Sequence, residues 1–229
     1  MTNTKTWVDT FNEMLDKNFE HLHQISGWKD IETIEAWDEV TLDIVKGYIK
    51  DGDSIFESGC GVLAFLNSVK RLYPNVTIHG MDAGEALIAK IKSMLPPEEA
   101  ECFFVGKVPH DLKRFPDNHF DVMLANGVTQ YISKTEAEIW IHEMLRITKP
   151  NRHIIISSVC DVVNKEENDQ KLRKSWETYG EEGGLPIHSY YPKDWWNRFE
   201  SDTHRITIKH VTLEHYWRRN FRYNVYIST

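Results

Sequence analysis

Apolar residues recur along this chain with two different periods. Trp7, Phe11, Met14, Leu15, Phe19 and Leu22 fall three and four positions apart, which draws one apolar stripe along a helix. Gly27 and Trp28 break the pattern. A second stripe, Trp37, Val40, Ile44 and Val45, predicts a helix from about Ile34 to Ile49, stopped by the turn residues Asp51-Gly52-Asp53. Short continuous apolar runs then alternate with helical patterns. The runs at about 54–57, Val76–Asp82, Cys102–Val105, Phe120–Ala125 and His153–Val159 predict strands. Helices are expected at Val62–Leu72, about Glu85–Met94 and about Lys134–Ile147, with breaks at Tyr73-Pro74-Asn75, Pro96-Pro97 and Lys149-Pro150-Asn151.

Strands that are apolar on both faces and joined through helices predict a parallel sheet covered on both sides. The rhythm changes after the fifth run. A charged helix is expected from about Glu166 to Tyr179, a loop at Glu181–Gly184 and a short helix at 192–199. Arg205–Val211 and Phe221–Ile227 alternate like strands, and the segment between them is too short for a helical crossover, so they are expected to pair antiparallel as a hairpin. The expectation is an α/β fold: a doubly wound, mostly parallel seven-stranded sheet with a C-terminal antiparallel hairpin. Residues 1–50 form an N-terminal helical cap, and residues 51–229 form the main domain with a cap insert at about 161–200.

Composition narrows the function classes. The 229 residues carry a formal net charge of −8, which argues against general nucleic-acid binding, because contact with phosphates needs a Lys/Arg surplus. The local basic clusters Lys171-Leu172-Arg173-Lys174 and Arg218-Arg219 read as solvated faces. Cys60, Cys102 and Cys160 have no paired spacing, which suggests reduced, buried thiols and not a disulfide framework or zinc site. The histidines lack metal-ligand spacing, so no metal is expected. No apolar window reaches membrane-spanning length, and the N-terminus has no signal core, so cytoplasmic residence is the expectation.

The candidate chemistry sits at Glu57-Ser58-Gly59-Cys60-Gly61, between the first strand and its helix. Glycines there let the backbone turn sharply and let a ligand lie against it. An acid at a strand end followed by Gly-x-Gly suits a nucleoside. A second acid, Asp82, closes the next strand. Phe115–Val122 leads into the fourth strand, Ala125–Ile132 leaves it, and Met144-Leu145-Arg146-Ile147-Thr148-Lys149-Pro150-Asn151 precedes the fifth. This order of parts resembles the class I S-adenosylmethionine-dependent methyltransferases over about residues 50–160. The resemblance implies S-adenosylmethionine as cofactor and S-adenosylhomocysteine as product. It gives Asp82, with Ala83 beside it, the ribose hydroxyls. It gives Glu57 the loop around the cofactor's amino group, and Gly59, Cys60 and Gly61 the turn beneath the nucleoside. Lys107 and Val108, after Gly106, would lie by the adenine through their backbone, and Asn126 would face the methionine end. The family's third loop glycine is replaced by Leu63. Asp82 also suits a helix N-cap, Asn126 a strand-end bond and Cys60 buried packing.

The acceptor pocket is expected above the strand ends, between the N-terminal helices and the insert. Aromatic residues are plentiful there: Trp28, Trp37, Trp176, Tyr179, Tyr190, Tyr191, Trp195 and Trp196. The candidate substrate-pocket residues are Trp28, Trp37, Gln130, Tyr131, Tyr190 and Tyr191. Among His110, His119, His142 and His188, His188 is the candidate catalytic base because it lies in the insert. The function expected is N- or O-methylation of a small organic acceptor, which the acidic net charge inclines toward a cationic or neutral one. No nucleic-acid or membrane partner is expected. The alternatives are a non-catalytic cofactor-binding module and a nicotinamide-dependent Rossmann oxidoreductase.

Overall fold

The computed structural model describes residues 6–17, 19–178, 188–214 and 216–229, with the side chains of 175–178 left aside. The helix α1 (Trp7–Leu15) opens with Thr6 as its cap: the Thr6 hydroxyl accepts the Asp9 N–H, and the Asp9 carboxylate accepts the Thr6 N–H in return. α2 (Leu22–Ile25) is one turn. α3 (Ile34–Val45) ends four residues before the predicted limit, because Gly47 turns left-handed at φ 87°. The strand β1 (Ser54–Ser58) then leads through the glycine turn into α4 (Ala64–Leu72). β2 (Thr77–Asp82), α5 (Glu85–Met94), α6 (Pro97–Ala100), β3 (Phe103–Val105) and β4 (Phe120–Asn126) follow. After α7 (Lys134–Ile147), the chain enters the long strand β5 (Thr148–Cys160), whose pairing starts at Thr148 and takes in the predicted Lys-Pro-Asn turn. α8 (Lys165–Thr178), a 3₁₀ stretch at Lys193–Phe199, β6 (Arg205–Lys209) and β7 (Arg222–Ser228) complete it.

The sheet order is β3-β2-β1-β4-β5-β7-β6. The first five strands in that order pair parallel, and β7 pairs antiparallel with both β5 and β6. The expected seven-stranded sheet and antiparallel C-terminal pair are present. The connection between β6 and β7 holds a 3₁₀ turn at Trp217–Asn220 in place of a tight hairpin loop.

Each strand feeds two cores. Ile55 of β1 packs with Val40, Ile44, Leu66 and Val69 of α3 and α4, while its neighbour Phe56 packs with Trp140, Ile141 and Met144 of α7 on the opposite face. That alternation is the period-two consequence of a strand between two helical layers. A third, smaller cluster joins Met14 of α1 and Ile25 of α2 to Val62 and Leu87, so the N-terminal helices sit over the carboxyl ends of β1 and β2. The chain leaves β1 toward β2 on one side and returns to β4 on the other, which opens a crevice above β1 at the point where strand order reverses. Among the described residues, no helix is long and apolar enough to cross a membrane.

Candidate active site

The crevice above β1 is a cavity of about 340 Å³. Its floor is the glycine turn. Gly59 and Cys60 both donate to the Met81 carbonyl, at 2.8 and 3.0 Å, which ties the turn to β2. Gly59 stands at φ 75° and Gly61 at φ 55°. A Cβ on Gly59 would lie 2.6 Å from a Val128 methyl, so the bare backbone is required there. Leu63, at the family's third glycine position, also takes the left-handed conformation, at φ 72°, yet its side chain is fully buried. Burying a leucine stabilises by about 1.5–3 kcal/mol, which offsets the roughly 1–2 kcal/mol cost of that backbone.

The two acids meet this turn from below. Asp82 accepts the Gly61 N–H on one oxygen and the Gly84 N–H on the other, each at 2.9 Å, so it braces the turn and the lead-in to α5, whose N-cap is Gly84 and not Asp82. Burial raises its pKa, while these backbone N–H bonds pull it back down. Glu57 is 2% exposed, and its Oε2 has no hydrogen-bond partner. Burial, reinforced by the neighbouring Asp82 charge, holds its carboxyl well above the ordinary range. An orphaned carboxylate oxygen at the cavity floor asks for a donor from a ligand. Cys60 packs against Gly80, and burial raises its thiol pKa well above the usual value, which suits packing and not nucleophilic attack.

The remaining predicted cofactor residues divide. Ala83, Lys107, Val108 and Asn126 all line the cavity. The Gly106 N–H is committed to the Asp82 carbonyl and the Lys107 N–H to the Asp111 carboxylate. The Val108 N–H, by contrast, has no hydrogen-bond partner among the described residues. The Asn126 Oδ1 accepts the Ser157 hydroxyl at 2.8 Å, so its strand-end role is present whether or not it also meets a ligand.

The aromatic predictions need correction. Trp28, Trp37, Gln130 and Tyr131 line the cavity, and Tyr190 and Tyr191 do not. The Tyr190 hydroxyl donates to the Asp169 carboxylate and accepts from the Asn168 amide. Tyr191 is fully buried, with its hydroxyl on the carbonyls of Thr129 and Ile132. Trp37 is core as well, donating to the Ala64 carbonyl and packed on Trp28 and Phe65. Trp176 and Tyr179 lie outside the described side chains. The aromatic roof comes instead from Trp7 and Phe11 of α1, which surround Tyr131 at ring distances of 4.2 and 5.9 Å. His188 stacks on Trp7 at 5.1 Å and lines the cavity, whereas His110, His119 and His142 are exposed and lie outside it. Burial, with Arg222 adding to it, lowers the His188 pKa to about 3.

Two residues that the sequence reading did not single out complete the wall: Arg218, read there as part of a solvated cluster, and Arg222. The Arg218 side chain is 11% exposed, and its guanidinium donates to the Gly27 carbonyl at 2.7 Å. Arg222 was visible as a lone cation inside the apolar run of the last strand, a signal that an unusual position is being filled.

The profile of a family described as a methyltransferase domain matches residues 49–217, most of the chain. The chain belongs to that methyltransferase domain family. Among curated relatives, this methyltransferase is 23% identical over 169 residues to an uncharacterized methyltransferase of Schizosaccharomyces pombe, covering 67% of this chain and 56% of that one. It is 22% identical over 164 residues to a carboxy-S-adenosyl-L-methionine synthase of Nautilia profundicola, covering 69% of each. It thus spans little more than half the length of the first of these. The fold is similar to that of an S-adenosylmethionine-dependent methyltransferase from Archaeoglobus fulgidus (TM-score 0.62, 13% identity, 90% and 99% of the two chains). It is also similar to that of a magnesium protoporphyrin IX methyltransferase from Synechocystis with S-adenosylhomocysteine bound (TM-score 0.59, 14% identity, 96% and 92%).

The family's cofactor is S-adenosylmethionine, and the floor of the cavity suits it. The orphaned Glu57 oxygen matches an ammonium donor. The Gly59–Gly61 turn, held left-handed at both glycines, lines the same cavity floor beside that oxygen.

Proposed function

We propose that this methyltransferase transfers a methyl group from S-adenosylmethionine to a small organic acceptor. The observation that carries the reading is one continuous cavity joining the acidic floor, Glu57 and Asp82, to the aromatic roof of Trp7, Phe11 and Tyr131. Its volume of about 340 Å³ lies at the low end of the usual range for small-molecule pockets. The acceptor side is open space and not packed side chains, which favours an enzyme over a non-catalytic cofactor-binding module. The division of labour that the notion of a cap implies is also part of the proposal: residues 1–50 close the cavity, and residues 51–229 hold the cofactor.

When bound, S-adenosylmethionine supplies an electrophilic methyl group on a sulfonium. Glu57 is placed to accept an ammonium N–H, and Asp82 to accept ribose hydroxyls with the lone pairs its backbone bonds leave free. The rings of Trp7, Phe11 and Tyr131 exclude water from the path between the two ends. Proton removal is not an evident task of the walls. His188 is neutral at physiological pH and too weak a base, with its pKa near 3, while burial lifts the Tyr131 hydroxyl to about 12. The site therefore suits an acceptor that attacks before it loses its proton, or one already ionised in solution.

Incubating the protein with methyl-labelled S-adenosylmethionine and a low-mass metabolite extract tests the reading. A labelled small-molecule product that disappears with Asp82→Ala is expected. Label found only in protein or nucleic acid, or in no product at all while the cofactor binds, would defeat it.

A further inference from the structure

The wall formed by β7 carries a charge that the cofactor end does not use. Arg222 is 3% exposed and lines the cavity. Its hydrogen bonds all leave from Nη1, to the Gln130 amide oxygen, the Ser158 carbonyl at 3.0 Å and the Ser158 hydroxyl at 3.1 Å. Its Nε is buried without a partner, and among the described residues no bond leaves Nη2. None of the ion pairs among the described residues includes Arg222. The neighbouring Arg218 is different: Asp30 lies 3.7 Å from it, and the face of Trp28 lies 4.7 Å from its guanidinium carbon. Among the described residues the wall thus holds two guanidinium groups and one balancing carboxylate, and the group without an ion pair is the more deeply buried.

A buried, unpaired guanidinium is costly, and proteins retain one where a ligand supplies the missing charge. A purely structural role accounts for only part of Arg222. Nη1 does secure Ser158, which stands at φ 61° where the β5–β7 register slips. That task needs one donor nitrogen. Nε is sealed from the cavity, so Nη2, a charged donor nitrogen with no partner among the described residues, is what is left to meet an oxygen of an anion. Arg222 lies beside Gln130 and the end of β5, away from the glycine turn that meets the nucleoside. The acidic net charge of the chain therefore does not describe this wall, and the inclination toward a cationic or neutral acceptor is reversed.

We propose that the methyl acceptor carries an oxyanion group, a carboxylate or a phosphate monoester, which pairs with Nη2 of Arg222. This rests on the cavity being a methyltransferase site. Trp7, Phe11 and Tyr131 then flank the apolar body of the acceptor, and the anionic end fixes which of its atoms faces the methyl donor.

Calorimetry on the protein saturated with S-adenosylhomocysteine tests it, with benzoate and phenyl phosphate as probes and benzamide and benzyl alcohol as uncharged counterparts. At least one oxyanion should bind about tenfold or more tightly than its uncharged counterpart, roughly the value of one charge-assisted hydrogen bond. The tighter of the two distinguishes carboxylate from phosphate. Arg222→Met, similar in length and apolar, should abolish the preference while S-adenosylhomocysteine affinity stays within about threefold. Equal binding of charged and uncharged probes to the wild-type protein overturns the proposal. So does a loss of S-adenosylhomocysteine affinity in Arg222→Met, which would assign the arginine to the cofactor's own carboxylate. Should Arg222→Met not fold, the wild-type comparison still decides, and Arg222→Lys, which keeps a donor for Ser158 but has no second nitrogen in the place of Nη2, should weaken the preference. Failure of the methyltransferase reading itself looks different: the wild-type protein would not bind S-adenosylhomocysteine.

Discussion

At the floor of the cavity, Glu57 and Asp82 stand on the neighbouring strands β1 and β2, and the turn between them belongs to the same short stretch of chain. The roof draws Trp7 from α1, Gln130 and Tyr131 from the 3₁₀ turn after β4, and Arg222 from β7. The floor is acidic, short of hydrogen-bond donors and braced by backbone N–H groups. The roof is aromatic, cationic and braced by side chains. The floor is built from residues close in sequence, and the roof from segments far apart in the chain. The difference also places opposite charges at the two ends of one cavity, which favours a ligand pair with a cationic group below and an anionic one above.

The largest effect on that comparison should come from Asp82→Ala. It removes the acceptor for two backbone N–H groups and for the proposed ribose hydroxyls. S-adenosylhomocysteine affinity should fall by about tenfold to a hundredfold, from charge-assisted bonds of roughly 1.5–3 kcal/mol each. Unchanged affinity by calorimetry would remove Asp82 from the cofactor site.

Next is Glu57→Gln. In the free protein the raised pKa lets Glu57 hold a proton that an ammonium partner would displace, so binding should release protons and tighten as pH rises through that pKa. Titrations in buffers of different ionisation enthalpy should show this release in the wild type and not in the variant, with an affinity loss of about tenfold for one charged bond. A wild-type signal independent of buffer would disconnect Glu57 from the ligand's charge.

His188→Gln should be milder. Turnover should change by less than about threefold, with a pH profile that overlays the wild type above pH 5, because a base with a pKa near 3 is already deprotonated there. Its mark belongs on stability. Below about pH 6.5 the unfolded chain protonates His188 while the folded one resists down to about pH 3, so folding weakens on acidification by at most about 1.4 kcal/mol per pH unit. Chemical denaturation across pH 3–7 should show a flatter decline in the variant. A collapse of turnover with loss of a pH-rate inflection would restore His188 as the base.

Tyr190→Phe should matter least. The hydroxyl it loses serves Asp169 and Asn168, outside the cavity. The acceptor KM should stay within about twofold, while stability falls by about 1 kcal/mol, the net value of a hydrogen bond. A KM shift without a stability change would return Tyr190 to the acceptor pocket.

The fold was legible because the sheet is written in local pattern: an apolar run, a turn, a helical stripe, repeated. That Glu57, the glycines and Asp82 gather at one cavity floor was legible for the same reason, since they keep fixed places within that repeat. Element ends were less so, as Gly47 shortening α3 shows. The acceptor end was misread where aromatic content stood in for geometry. Tyr190 and Tyr191 are large and aromatic like Trp7 and Phe11, and only tertiary packing separates those that fill a core from those that face a cavity. Arg222 escaped because its significance depends on a missing counter-ion, and an absence between distant segments leaves no mark in local sequence.

The place of β7 between β5 and β6 has a consequence for how the protein is made. A chain emerging from the ribosome exposes the acids and the glycine turn early, with the strands that align them. Arg222 arrives late and must enter a gap beside an already paired strand. The acidic floor of the cavity is thus synthesised before the cationic wall that faces it.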